Sequence, residues 1–98
     1  MAYRTSVKAT SDIIEIYVYG ARNFGAAQAE LYHAGLVNAF ERIADQPLTA
    51  RERLEFRPPV RLYPYRAHIV VYLVDEAGGV MVVRVLHGRQ DWERRLSG

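Results

Sequence analysis

Apolar residues recur at helical spacing through the first half of this chain and gather into short, nearly unbroken runs after position 60. Ala9, Ile13, Ile16, Tyr17 and Gly20 form one stripe three or four residues apart, which predicts an amphipathic helix, with Ser6 before it as a good N-cap. Asp12 and Glu15 fall away from the centre of the stripe, and Tyr3-Arg4-Thr5 ahead of the cap is a short strand candidate. Asn23-Phe24-Gly25 interrupts the pattern with two turn-formers around an aromatic. A second stripe, Ala29, Tyr32, Leu36, Phe40 and Ile43, predicts a helix from about Ala26 to Ala44. Its wet side carries Glu30, Asn38, Glu41 and Arg42, and Gln46-Pro47 stops it. A break this short folds two helices into an antiparallel hairpin.

Leu48 to Arg57 is charged and has no clear period. It reads as a connector with room for a helical turn over Ala50–Leu54, ended by Pro58-Pro59. Three strands follow, Val60–Tyr65, His68–Val74 and Val80–Leu86. Arg66-Ala67 is a tight turn between the first two. Asp75-Glu76-Ala77-Gly78-Gly79 is a hairpin turn between the last two, with glycines free to take positive φ. Asp91 to Leu96 reads as a short final helix with Asp91 near its start. An N-terminal strand, an antiparallel helix hairpin, a three-strand antiparallel meander and a short C-terminal helix make a two-layer α+β domain over residues 1–98. Two helices cover only one face of such a sheet. The other face is therefore expected to be solvated or to meet a partner, and function is expected there.

Composition narrows the class. With 50% hydrophobic and 24% charged residues the chain is of globular rather than disordered type. The absence of cysteine excludes disulfides, thiolate chemistry and Cys-ligated metal. No apolar run nears the ~20 residues of a membrane span, and Met1 to Ser6 lacks the apolar core of a signal peptide. A cytoplasmic protein without a membrane partner is expected. Net charge is +2, unevenly spread: residues 1–50 carry four basic and five acidic side chains, residues 51–98 nine arginines and six acids. Twelve of the thirteen cations are arginine, which favours planar, hydrogen-bonded pairing over a diffuse solvated coat.

The candidate chemistry leaves several readings open. His87, beside Arg84 and Arg89, suits the general acid of a ribonuclease, but with no partner base close in sequence it reads more readily as a strand end that caps a turn by bonding backbone carbonyls. His68 opens a strand, and His33 lies on the flank of the second helix. No two histidines have metal-ligand spacing, so neither a metal nor a cofactor is expected. Arg84 sits inside an apolar strand, where an unpaired charge is costly. It either pairs with Asp12 or Glu15 or meets a partner's acid. Arg51, Arg53, Arg57, Arg61 and Arg66 interleave with Leu54, Phe56, Leu62, Tyr63 and Tyr65. This stretch suits single-stranded nucleic acid, a solvated connector, or an acidic amphipathic peptide. Glu52 and Glu55 dilute its charge, which favours the peptide, and no sequence-specific nucleic-acid binding is expected. Tyr17, Tyr19, Phe24 and Tyr32 cluster around the helix–helix turn. No Ser/His/Asp order, paired carboxylates, P-loop or GxGxxG occurs, so no catalytic residue is assigned.

Several segments in order resemble one family. They are Tyr3-Arg4-Thr5-Ser6 with Asp12-Ile13-Ile14-Glu15-Ile16-Tyr17, then Phe24-Gly25 with Gln28-Ala29-Glu30 and Tyr32, then Ile43-Ala44 with Pro47. Arg57-Pro58-Pro59-Val60-Arg61, His68-Ile69-Val70-Val71-Tyr72 and Val83-Arg84-Val85-Leu86-His87-Gly88-Arg89 complete the set. Over nearly its whole length the chain resembles the ParE branch of the RelE/ParE toxins of bacterial toxin–antitoxin modules. The resemblance implies a non-enzymatic toxin that poisons DNA gyrase, as in plasmid stabilisation, and a ParD-like antitoxin whose C-terminal segment wraps it. The RelE relatives instead cut mRNA on the ribosome. Their catalytic columns fall near Tyr63-Pro64 and Gly88, which lack that chemistry; Arg61, Arg66 and His87 are the residues nearest to supplying it. An inactive scaffold of the same fold is a further alternative.

On this resemblance the antitoxin helix is expected between the helix hairpin and the sheet. Its acids would meet Arg57, Arg61 and Arg84, and its apolar face Tyr17, Phe24, Tyr32 and Phe56. The target is assigned to the polar tail, through Arg89, Trp92, Arg94 and Arg95. Trp92 suits a core-sealing role equally.

Overall fold

The computed structural model of the chain describes residues 3–90 and 92–97. β1 (Tyr3–Thr5) leads into α1 (Val7–Phe24) and α2 (Ala26–Asp45). β2 (Glu52–Arg53), β3 (Val60–Tyr65), β4 (His68–Val74) and β5 (Val80–His87) follow, and α3 (Trp92–Ser97) comes last. The strands form one sheet in the order β1-β5-β4-β3-β2, antiparallel throughout except for β1 beside β5. This is the α+β arrangement expected from the hydrophobic pattern, with one strand added. Asp91, the expected start of the last helix, lies outside the described residues.

Ser6 ties the two layers together at their first corner. Its hydroxyl accepts from the Ala9 N–H at 3.0 Å as the N-cap of α1 and donates to the Val83 carbonyl at 2.9 Å. Its own N–H reaches the Val82 carbonyl at 2.9 Å, prolonging the β1–β5 ladder. Gly25 alone joins the two helices, at φ 93° and ψ 159°, a conformation essentially reserved for glycine. Nearby, a Cβ on Gly20 would stand 3.5 Å from that of Ala29, so the helices pack closely at the closed end of the hairpin.

The helix-facing core joins Ala9, Leu36, Phe40 and Ile43 to Val70, Tyr72, Val80, Val82 and Val85. Val82 and Val85, three apart, share this core because the β4–β5 register shifts by one residue. Tyr72 faces Val82 while Val71 faces Arg84, which leaves Val83 as the extra residue of a bulge.

Two expectations are corrected. The far face of the sheet is covered from within the chain: Phe56, Val60, Val71 and Leu86 are buried there, with Trp92 and Leu96 packed over them. The two α3 residues are four apart and so share one face of the helix, enough to close this small second core. The connector forms no helical turn over Ala50–Leu54. Glu52 and Arg53 instead pair with Arg61 and Val60 on the edge of β3. A lone turn without an apolar stripe pays the full cost of nucleation, whereas the strand edge offers ready backbone partners.

Candidate functional site

Where α1, the start of α2 and the far ends of β4 and β5 diverge, they leave a groove of about 1300 Å³. Ile13, Ile16, Tyr17, Phe24, Ala29 and Leu36 supply its apolar wall, and Lys8, Arg84 and Arg95 its cations. Its lining runs along α1 from Lys8 to Phe24 and along α2 from Gln28 to Leu36. Phe24 is 67% and Tyr19 63% exposed, and their rings meet edge to face at 6.4 Å. Tyr17 crosses between the helices. Its hydroxyl donates to Glu30, which raises its pKa, and its ring lies edge-on to His33 at 6.1 Å. A separate exposed apolar stripe on α1, Val7, Ile14 and Val18, does not line the groove.

The sheet end of the groove holds a cluster of rings. The Tyr32 hydroxyl and His68 Nδ1 are 2.6 Å apart, and His68 lies edge-on to His87 at 5.2 Å. Tyr65 packs against Tyr32 at 5.2 Å, and its hydroxyl fills the space left by Gly35. Burial first, and His87 second, push the His68 imidazole below the ordinary histidine range. Burial raises the Tyr32 hydroxyl, and the Ala67 backbone N–H facing it draws it back.

Arg84 is held by Asp12. Its Nε and Nη2 donate to the two carboxylate oxygens at 2.9 and 3.0 Å, and the Val85 N–H shares one of them at 2.9 Å. The hydrogen bonds to Asp12 raise the Arg84 pKa. One carboxylate thus satisfies both a half-buried charge and an edge amide of β5 beyond the end of β1.

The structure divides the residues expected to meet an antitoxin. Tyr17, Phe24, Tyr32 and Arg84 line the groove. Phe56 is 6% exposed in the second core, against Trp92 at 6.3 Å, and Arg57 is exposed beside it. Arg61 donates to the Ala50 carbonyl and, with Tyr72 bonded to the Pro47 carbonyl at 2.8 Å, fastens the loop after α2 to the sheet.

The three residues of the nuclease alternative are not brought together. Arg61 and Arg66 lie at opposite ends of β3, and Arg66 sits at φ 50° in the hairpin turn over the Tyr65 ring. His87 lies in the groove. It caps its turn by accepting from the Arg89 N–H at 3.0 Å rather than by bonding carbonyls, while Gln90 caps the His87 N–H.

Of the tail residues, Arg95 lines the groove, Arg89 and Arg94 are exposed and Trp92 seals the second core. His68 and His33 were not among the expected site residues. The one signal for His68 was its place in the two-residue hairpin after Tyr65. Among the described residues, no group of three or more His, Asp or Glu side chains could hold a metal ion, and no helix is long and apolar enough to cross a membrane.

The sequence model for the family described as "ParE toxin of type II toxin-antitoxin system, parDE" matches residues 3–92. Toxin ParE1 of Mycobacterium tuberculosis is 36% identical over 94 residues, 96% of each chain. Toxin ParE of Escherichia coli is 31% identical over 96 residues, 98% of this chain and 93% of that one. Among solved structures, a chain of the chromosomal ParDE TA system from P. aeruginosa superposes with a TM-score of 0.76 at 17% identity, over 89% of this chain and 95% of that one, a likeness of fold.

Proposed function

The chain belongs to the ParE toxins of type II toxin–antitoxin modules, and from that premise we propose that a ParD-like antitoxin restrains it by laying an amphipathic segment in the aromatic groove. Once released, the toxin inhibits DNA gyrase by binding it. The groove is the observation that carries this reading. Its volume matches about three turns of a helix ~10 Å across, its wall is apolar, and with Asp12 and Glu15 set against Arg84, Lys8 and Arg95 are the cations left to meet a segment with an acidic face. Tyr19 and Phe24, large aromatics left in water at the mouth, are the side chains that gain most from being covered. Action by binding is favoured over cleavage because Arg61, bonded to the Ala50 carbonyl, lies at the opposite end of β3 from Arg66 and His87.

Titrating the cognate ParD-type antitoxin into two variants tests the groove. Phe24→Asp places a charge in the mouth and should weaken binding by tenfold or more. Ile14→Asp, on the outer stripe of α1, should leave affinity within about twofold. Equal effects of the two substitutions would remove the groove as the docking site.

A further inference from the structure

All three histidines of the chain line this one groove. Two of them are set as a pair, His68 and His87, opposite each other on β4 and β5. Each ring has its Nδ1 engaged, His68 by the Tyr32 hydroxyl at 2.6 Å and His87 by the Arg89 backbone N–H at 3.0 Å. An amide N–H only donates, so neutral His87 keeps its proton on Nε2. When the Tyr32 hydroxyl donates to His68 Nδ1, that ring carries its proton on Nε2 as well. In that arrangement both rings present Nε2–H donors.

The two rings differ in the partner held at Nδ1. A protonated His68 can donate from Nδ1 to Tyr32, whose hydroxyl reverses to accept it. A proton on His87 Nδ1 would break the bond from Arg89.

The charges around the pair complete the picture. On α1, Asp12 is taken up by Arg84, and Glu15 acts on the same guanidinium. Burial and His87, not a carboxylate, are the influences on His68. The side chains facing the pair from α2 and β3 are Tyr32, His33 and Tyr65, none of them a carboxylate. Among the described residues, cations near the pair are Arg66 in the turn and Arg89 after β5, with Lys8 and Arg95 in the groove wall. No carboxylate among the described residues is hydrogen-bonded to either ring.

We propose that the His68–His87 pair anchors a carboxylate carried by the antitoxin segment that fills the groove, and that seating this carboxylate draws one proton onto His68. The inference rests on the docking reading above. It adds a chemical requirement, an acidic side chain placed to reach the sheet end of the groove, and makes antitoxin affinity rise as pH falls.

Calorimetric titration of the full-length toxin with its antitoxin, in buffers of differing ionisation enthalpy, counts the protons taken up. Between about pH 8 and about pH 6 affinity should rise about threefold, and it should approach about tenfold only at lower pH, the limit for a proton held one pKa unit more tightly. Proton uptake should be positive near pH 6.5. His68→Gln still bonds Tyr32 but cannot take the proton, so it should bind with little pH dependence. His33→Gln should behave like the unsubstituted toxin. A flat pH profile without uptake, or uptake that vanishes in His33→Gln and survives in His68→Gln, overturns the proposal. If Phe24→Asp leaves affinity intact, the docking reading itself fails. If Phe24→Asp abolishes binding while the unsubstituted toxin takes up no proton, only the carboxylate anchor fails.

Discussion

Asp12 shows how far a single residue can be read in advance. A charge inside the β5 run demanded a partner, and Asp12 and Glu15 were both at hand; the structure chooses Asp12, which also accepts from the Val85 N–H. The choice depends on where α1 crosses the edge of β5, a tertiary distance that no local pattern encodes. Ser6 was legible because capping is local. His68 was not, since its partners Tyr32 and His87 come from other elements. Its lowered pKa makes stability pH-dependent in a definite direction. The unfolded chain, with its histidine near 6.5, binds the proton more readily than the fold does. The contribution of His68 is therefore complete above about pH 6.5 and is lost as pH falls through the depressed folded value. Thermal unfolding of the isolated toxin should show Tm falling from pH 7 toward pH 5, with a shallower fall in His68→Gln; equal slopes would mean that His68 is not perturbed.

At the scale of elements, the two helices and the three long strands follow from periodicity and turn residues. The connector and the uses of glycine do not. Gly25 announced a break, but only the structure shows that one residue at φ 93° makes the whole reversal. The bulge at Val83 was equally hidden. An unshifted ladder from Val74–Val80 would place His68 opposite Leu86; the one-residue shift sets it opposite His87 and builds the ring cluster. Gly35 separates local propensity from packing. Alanine there gains ~1 kcal/mol of helix propensity, yet its Cβ would stand 1.9 Å from the Tyr65 hydroxyl and 2.9 Å from Cζ. Tyr65 must then leave its place against Tyr32. Gly35→Ala should lower stability by about 1–2 kcal/mol in urea unfolding, on the scale of other overpacked sites. A gain would show that propensity prevails.

For the whole molecule, the chain covers one sheet face with the helix hairpin and the other with Phe56, Trp92 and Leu96. The far face, expected to be open, is thus withdrawn from partners, and the groove beside the hairpin turn takes its place. The proposed division of labour follows: an antitoxin seated in the groove, and a released toxin acting on gyrase without catalytic chemistry. The most direct measurement is plasmid supercoiling by purified gyrase titrated with the toxin, with cleaved DNA trapped and quantified and then repeated after adding antitoxin. Loss of supercoiling with accumulation of linear DNA, reversed by the antitoxin, is the predicted result. Undiminished supercoiling with toxin in excess over gyrase, while the same preparation cuts mRNA on ribosomes, would contradict it.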